Sequence, residues 1–190
     1  LVLGHGNNMI IASESVINNG FLTSQNNLDI NSKDLINNSQ IISGNSLILN
    51  TESILNGNYS LIYSKNDITM SVKKDFINNK GEIFSENNIK IKALGKVQNN
   101  AGIIEAIGDI YIEGEQIENL GEVIENPSVA ENISVSTMSE SLDLVDRAEN
   151  NYASTMAYIS SGKNITLKTT GDVINREGNI SADNDVNITA

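Results

Sequence analysis

The sequence predicts an all-β protein: a parallel β-helix of about eight coils, with one helical insertion. Three observations support this fold class. A short motif recurs every 19–21 residues, apolar and polar residues alternate inside each repeat, and turn-forming residues separate the alternating runs. A fixed period near 20 residues is typical of stacked repeats, and alternation with a period of two indicates strands that bury one face.

The recurring motif contains a small residue, two spacers, a turn-prone polar residue and an apolar–any–apolar triplet. The clearest copy is residues 85–91, SENNIKI. Further copies occupy residues 24–30, 43–49, 64–70, 106–112, 161–167 and 182–188, and a degenerate copy occupies 5–11. Successive triplets are separated by 19, 19, 21, 21, 21, 55 and 21 residues. A single insertion therefore interrupts a regular array.

The second half of each repeat reads apolar–any–Asn. Strand alternation points Val97 and Asn99 to the same, inward side. A buried amide is costly unless it is hydrogen-bonded, and identical asparagines stacked on successive coils can bond to one another along the axis. We therefore predict a structural asparagine ladder; the alternative is a row of ligand-binding amides. Its members are Asn18, Asn37, Asn56, Asn78, Asn99, Asn119 and Asn175.

A turn follows the asparagine, and glycine is its usual residue. We expect this glycine to supply a positive φ angle. The glycines concerned are Gly20, Gly81, Gly102, Gly121 and Gly178, and Ser39 takes the place once. A third strand should then begin with an inward apolar residue, which is Leu22, Ile41, Ile62, Ile83, Ile104, Val123 or Ile180.

Two other repeat architectures fit less well. Antiparallel hairpins need two-residue loops such as Asn-Gly, which are nearly absent, and leucine-rich repeats need a different Leu and Asn frame. One repeat is best explained as one coil of a parallel β-helix. With coils stacked roughly 4.8 Å apart, eight coils make a rod about 40 Å long.

The period breaks between residues 126 and 157. These residues divide the chain into β-helix repeats at 1–125, a non-repeat insertion at 126–157, and resumed repeats at 158–190. Residues 137–140, TMSE, form a capping box, which predicts the start of a helix. The apolar residues after it have helical spacing: Leu142, Val145, Ala148, Tyr152, Met156 and Ile159.

The predicted helix admits two interpretations. It packs on the side of the β-helix and covers a sheet, or it projects and binds a partner. In the second case the partner-binding residues are Leu142, Val145, Tyr152 and Met156.

Composition excludes several function classes. The net charge of −12 argues against nucleic-acid binding and against an anionic membrane surface. No apolar run approaches the roughly 20 residues of a membrane-spanning helix, so no direct membrane insertion is expected. The absence of cysteine excludes disulfides, thiol nucleophiles and cysteine-type zinc sites.

Catalytic, cofactor and metal sites are not predicted. Gly4-His5-Gly6 resembles the Gly-His-Gly of polygalacturonases, but the Asn-Thr-Asp, Asp-Asp and Arg-Ile-Lys runs of those enzymes are missing. We therefore expect His5 to be structural. The carboxylates at 113, 115, 118, 122 and 125 are interpreted as a solvated face rather than a metal site.

The repeat resembles the haemagglutinin repeat of filamentous-haemagglutinin-type exoproteins. Residues 78–91 and 175–188 show its pattern N-x-x-G-x-I-x-S-x-x-N-I-x-I most clearly, and the resemblance covers about residues 1–125 and 157–190. It implies a right-handed β-helix from a secreted bacterial surface protein. It also implies export through an outer-membrane transporter of the two-partner secretion class.

This resemblance implies a structural shaft or adhesive segment that contacts an unknown host or bacterial receptor. One alternative is a receptor-binding module of a contact-dependent growth-inhibition toxin carrier. Another is a β-helical enzyme acting on polysaccharide, for which the chain has few basic residues: Arg147 and Arg176 are its only arginines.

Overall fold

The computed structural model describes residues 6–125 and 152–190. Every regular element in these ranges is a β-strand, and all but two of the strands belong to three parallel sheets. Sheet 1 contains β1 (Asn8–Ile11), β4 (Leu28–Asn31), β7 (Leu47–Thr51), β10 (Ile68–Val72), β13 (Ile89–Ala93), β16 (Ile110–Gly114), β21 (Ile165–Thr169) and β24 (Val186–Thr189).

Sheets 2 and 3 have seven strands each. Sheet 2 contains β2 (Ser15–Asn18), β5 (Asp34–Asn37), β8 (Ser53–Asn56), β11 (Phe76–Asn79), β14 (Lys96–Asn100), β17 (Gln116–Leu120) and β22 (Val173–Arg176). Sheet 3 contains β3 (Phe21–Ser24), β6 (Gln40–Ser43), β9 (Leu61–Ser64), β12 (Glu82–Ser85), β15 (Ile103–Ala106), β20 (Ala157–Ser161) and β23 (Gly178–Ala182).

Each coil places one strand in each sheet and then returns to sheet 1. The chain completes seven three-stranded coils, and β24 begins an eighth. Strands pair in parallel with the equivalent strand one coil away, so that Ile68 lies between Leu47 and Ile89. The predicted parallel β-helix of short strands is confirmed.

The core follows from period-two alternation kept in register along the axis. In β10 the side chains of Ile68, Met70 and Val72 are buried, whereas Thr69 and Ser71 face outward. Because parallel pairing puts equivalent residues on top of one another, apolar side chains form continuous columns inside the solenoid. Phe76 is the largest fully buried side chain of the described ranges.

The sixth coil departs from the predicted path. Val123 was expected to start its third strand, but Ile159 pairs with Ile104 at that place in sheet 3. Val123 instead lies in β18 (Glu122–Glu125), which pairs antiparallel with β19 (Tyr152–Thr155). The prediction is wrong because the triplet at 121–123, Gly-Glu-Val, imitates the turn-to-strand signal of the other coils.

The helix predicted for the insertion is wrong at its C-terminal end. Tyr152 lies in β19, Ile159 lies in β20, and Met156 connects the two strands. Leu142, Val145 and Ala148 fall outside the described residues, as does His5. Ala157 and Ile159 are both buried two residues apart, which is strand alternation rather than helical spacing.

Candidate functional site

Sheet 2 aligns the seven predicted asparagines in one row along the axis. Parallel pairing matches each with its counterpart on the next coil, as Asn78 is matched with Asn56 and Asn99. Asn37, Asn56, Asn78, Asn99 and Asn119 are at most 1% exposed, and Asn18 is also buried. Asn175 is exposed because it lies on the last complete coil.

The side-chain amides of this row form an uninterrupted chain of hydrogen bonds. In each step the Nδ2 of one asparagine donates to the Oδ1 of the next. The distances are 2.8 Å from Asn18 to Asn37, 2.8 Å from Asn37 to Asn56, 2.9 Å from Asn56 to Asn78, 2.8 Å from Asn78 to Asn99, 2.8 Å from Asn99 to Asn119 and 2.8 Å from Asn119 to Asn175.

The same amides also bond the turn that leads into sheet 3. Asn78 Nδ2 reaches the carbonyl oxygens of Gly81 at 3.0 Å and Ile103 at 3.2 Å, and Asn99 Nδ2 reaches those of Gly102 at 3.0 Å and Tyr158 at 3.1 Å. Each buried amide therefore links two coils and two sheets. Loss of such a group leaves several buried polar partners unsatisfied.

A second internal row, of serine hydroxyls, lies at the end of sheet 3. Ser24, Ser43, Ser64, Ser85 and Ser161 are stacked in register, with Ala106 and Ala182 at the same place in two coils. Ser43 Oγ lies 2.9 Å from the carbonyl oxygen of Ser46 and 2.8 Å from that of Asn26 on the preceding coil. The small-residue place in the motif is the sequence signal for this row, although its bonding role is not evident from sequence.

Three of the turn glycines, Gly81, Gly102 and Gly178, act through close approach rather than through φ. The expected positive φ is wrong: the described residues contain no glycine with positive φ. A Cβ atom on Gly102 would lie 2.7 Å from Asn99 Oδ1 and closer still to Asn78 Nδ2, and Gly81 and Gly178 meet their ladder asparagines in the same way. At these three places the ladder amides pack against the glycine Cα, whereas Ser39, Ser60 and Ala157 occupy the same place in other coils.

The positive φ angle belongs to the residue before the glycine. Lys80, Ala101 and Glu177 have φ values of 54°, 45° and 49°. The left-handed conformation costs an ordinary residue roughly 1–2 kcal/mol. The turn thus keeps a strained residue next to the glycine that makes room for the ladder.

An open groove runs along the corner between sheets 1 and 2. This axial groove has a volume of about 1100 Å³ and is lined by residues from all seven coils. Its buried lining is a column of small residues, including Thr51, Val72, Ala93 and Gly114. Small side chains at this column leave space that Ile and Leu fill at the other inward columns.

A charged network lies on one wall of the axial groove. Glu113 binds the ammonium groups of Lys92 at 2.7 Å and Lys168 at 3.1 Å, and it accepts a hydrogen bond from the Tyr111 hydroxyl at 2.9 Å. These contacts, with Lys92 the largest contributor, lower the pKa of Glu113 to about 2. The Lys92 ammonium also lies 5.4 Å from the centre of the Tyr111 ring.

Two of the other carboxylates of the acidic run are paired with lysines. Glu118 binds Lys96 at 2.8 Å, and Glu122 is paired with Lys80. Among the described residues, no group of three His, Cys, Asp or Glu side chains could hold a metal ion. In the same part of the chain, no helix has the length and apolar character needed to cross a membrane.

The family model of the haemagglutinin repeat matches residues 4–114 and 148–190, which is more than half of the chain. The chain belongs to the haemagglutinin-repeat family. The two matched ranges contain the three sheets apart from β17, and they leave out residues 115–147. Comparisons with curated proteins and with solved structures find no significant match. Haemagglutinin repeats form a structural family of secreted surface adhesins rather than a family of enzymes.

Replacement of a ladder asparagine should destabilise the fold far more than replacement of its neighbour. Asn78→Ala should lower the free energy of unfolding by about 2–4 kcal/mol, because Asn56, Asn99 and two carbonyl groups lose a buried partner. Asn79→Ala, at an outward position of the same strand, should change it by less than about 1 kcal/mol. Urea unfolding measures the change in unfolding free energy for both variants. Equal changes would contradict a stabilising role for the asparagine ladder.

Exchanging glycine and alanine should change the stability of the fold in opposite directions at the two residues of the Ala101-Gly102 turn. Gly102→Ala should cost about 1–3 kcal/mol of unfolding free energy because the new methyl group collides with the ladder amides. Ala101→Gly should stabilise the fold by up to about 1 kcal/mol because the left-handed strain is relieved. A stabilising Gly102→Ala in thermal unfolding would refute the close-approach role.

Glu113 should remain ionised in acid. Its lowered pKa means that its stabilising contribution is complete above the ordinary value of 4.5 and is lost as the pH falls through about 2. An NMR titration should find this low value in the native chain, and in the double variant Lys92→Gln/Lys168→Gln the pKa should move back toward 4.5. Native Glu113 titrating at 4.5 would show that the network does not form.

Proposed function

We propose that this chain is a shaft segment of a large secreted bacterial surface exoprotein of the adhesin type. The observation that carries this proposal is the axial continuity of the hydrogen bonding. Every complete coil repeats the same three strands, and the amide ladder connects the first complete coil to the last without a missing step. An array of this kind extends in one direction and resists bending.

Export through an outer-membrane transporter of the two-partner secretion class fits this architecture. Outside the insertion, strand pairs join residues about one repeat apart, as Ile68 pairs with Ile89, so each of these coils can form as soon as its residues emerge. The preceding coil then offers a template of backbone groups and ladder amides. The lack of cysteine means that no disulfide has to form during export.

A second candidate function is receptor binding through the insertion. The antiparallel pair of β18 and β19 is the one departure from parallel pairing in the described ranges, and it leaves the solenoid at a turn in the sixth coil. Turns are where repeat proteins accept insertions that carry binding functions. On this proposal Tyr152 and Met156 belong to the recognition element, together with Leu142 and Val145 outside the described residues. The parent would then be an adhesin or a carrier of a growth-inhibiting toxin.

A deletion of the insertion distinguishes the two proposed functions. Joining Gly121 directly to Ala157 removes residues 122–156 and restores a coil within the 19–21-residue range of the others. It also keeps Asn119 next to Ala157, whose carbonyl oxygen accepts a 3.2 Å hydrogen bond from Asn119 Nδ2. Circular dichroism and urea unfolding should show that the shortened chain retains its β structure.

The discriminating measurement is binding of labelled intact and shortened chains to bacterial and epithelial cells. The shaft proposal predicts that deletion of the insertion changes neither the fold nor the level of cell binding. Binding that disappears with residues 122–156 while the β structure is retained would overturn the plain shaft and assign recognition to the insertion.

A further inference from the structure

Two Asn-Gly pairs occur in the chain, Asn19-Gly20 and Asn56-Gly57, and the structure places them in opposite surroundings. Asn19 is exposed in the turn after β2, whereas Asn56 is a fully buried member of the asparagine ladder. We propose that both pairs are sites of spontaneous deamidation and that the fold decides when each one reacts. Asn19 reacts in the folded chain, and Asn56 reacts only after its coil has opened.

Deamidation of an Asn-Gly pair requires free movement of both residues. The backbone nitrogen of the glycine gives up its proton and attacks Cγ of the asparagine side chain. A C–N bond forms, the Cγ–Nδ2 bond breaks, and Nδ2 leaves as ammonia. Water then opens the five-membered imide at either of its carbonyl groups, which yields aspartate or isoaspartate. Glycine favours the attack because it has no Cβ and has a wide choice of backbone conformations.

The ladder holds Asn56 and Gly57 away from this reaction. Asn56 Nδ2 donates to Asn78 Oδ1 at 2.9 Å and to the carbonyl oxygen of Glu82 at 3.2 Å. Asn56 Oδ1 accepts from Asn37 Nδ2 at 2.8 Å, and the Gly57 nitrogen donates to the Asn37 carbonyl oxygen at 2.8 Å. Because the attack would break these buried hydrogen bonds, it has to wait until the coil opens.

Asn19 is not restrained in this way. Its Oδ1 accepts a 2.8 Å hydrogen bond from Asn38 Nδ2, and this pair of side chains is exposed. The hydrogen bond from the Gly20 nitrogen to Asn18 Oδ1 is long, at 3.3 Å. Water competes for exposed hydrogen bonds, so the Asn19 side chain can turn toward the Gly20 nitrogen while the coil stays folded.

The products have unequal effects on the fold. Aspartate at position 19 still accepts from Asn38 and stays in water. Aspartate at position 56 has no Nδ2 group, so Asn78 and Glu82 lose a buried donor and a carboxylate is enclosed in the core. Isoaspartate adds a methylene group to the main chain, which disturbs the alternation of inward and outward residues. An unfolded chain that has reacted at Asn56 therefore cannot rebuild this step of the ladder.

Peptide mapping of aged samples tests the proposal. The chain is kept in mildly alkaline buffer, either folded or unfolded in urea, and is then digested with trypsin. Cleavage after Lys33 and Lys65 places Asn19 and Asn56 in different peptides. Mass spectrometry measures the fraction of each asparagine that has been converted to aspartate or isoaspartate.

The two asparagines should differ in the folded chain and agree in the unfolded chain. In the folded chain Asn19 should convert at least about tenfold faster than Asn56, because Asn56 requires local opening. In urea the two rates should agree within about threefold, because the ladder is then absent. Equal rates in the folded chain, no conversion of Asn19 in it, or a persistently slow Asn56 in urea would each overturn the proposal.

Alanine variants of the two glycines provide matched controls. Gly20→Ala should stop the conversion of Asn19 and leave the turn intact, since its φ is not positive and no described atom outside its chain neighbours lies within 4 Å of the added Cβ. Gly57→Ala should slow the conversion of Asn56 in urea at least about tenfold, because the added Cβ blocks the attack. This second measurement does not depend on whether the variant folds.

Refolding after ageing in urea tests the consequence for the ladder. The native chain and Gly20→Ala should lose refolding yield in step with the conversion of Asn56. Gly57→Ala should keep the yield that it has before ageing. Loss of yield by Gly57→Ala at the native rate would show that Asn56 is not the residue whose conversion prevents refolding. None of these results bears on the shaft role, which the deletion and cell-binding measurements test separately.

Discussion

A carboxamide buried in an apolar core must find hydrogen-bond partners, and in this chain the partners come from the neighbouring coils. Asn78, for example, bonds to Asn56 and Asn99, and through carbonyl groups to sheet 3. This requirement sets the register. A β-strand shifted by one residue would turn its asparagine outward and leave the asparagines of the neighbouring coils without hydrogen-bond partners. It also constrains the turn, because a Cβ atom at Gly81, Gly102 or Gly178 would crowd the amides.

The same register that orders the interior orders the surface. Because equivalent residues stack at every coil, the outward wall that contains Asn50, Ser71 and Lys92 is as regular as the core beneath it. Small residues at the corner between sheets 1 and 2 then produce a continuous groove instead of separate small depressions. A chain built this way combines a hydrogen-bonded interior with a repeated pattern of polar side chains on its surface.

Much of this arrangement follows from sequence because it depends on local periodicity. The period, the three strands per coil and the positions of the asparagines are all visible in segments such as residues 78–91. The role of the turn glycine does not follow from sequence, since glycine is favoured both where φ is positive and where another group approaches the backbone closely. Only the structure shows that Ala101 takes the positive φ and that Gly102 faces the ladder. The prediction for the third strand of the sixth coil is also wrong. Val123 has the sequence context expected of that strand, but Ile159 occupies the place in sheet 3. The groove depends on stacking between coils and has no signature within one repeat.

The central measurement is hydrogen exchange of the asparagine side-chain amides, followed by NMR. In the ladder, the Nδ2 protons of Asn37, Asn56, Asn78, Asn99 and Asn119 should exchange slowly, because they are buried and bonded. Those of Asn79, whose outward-facing amide donates only to the exposed Asn58 at 3.1 Å, should exchange quickly. Slow exchange confined to the ladder amides is the expected result. Exchange of the ladder amides as fast as that of Asn79 would contradict the view that a buried amide chain holds the solenoid together.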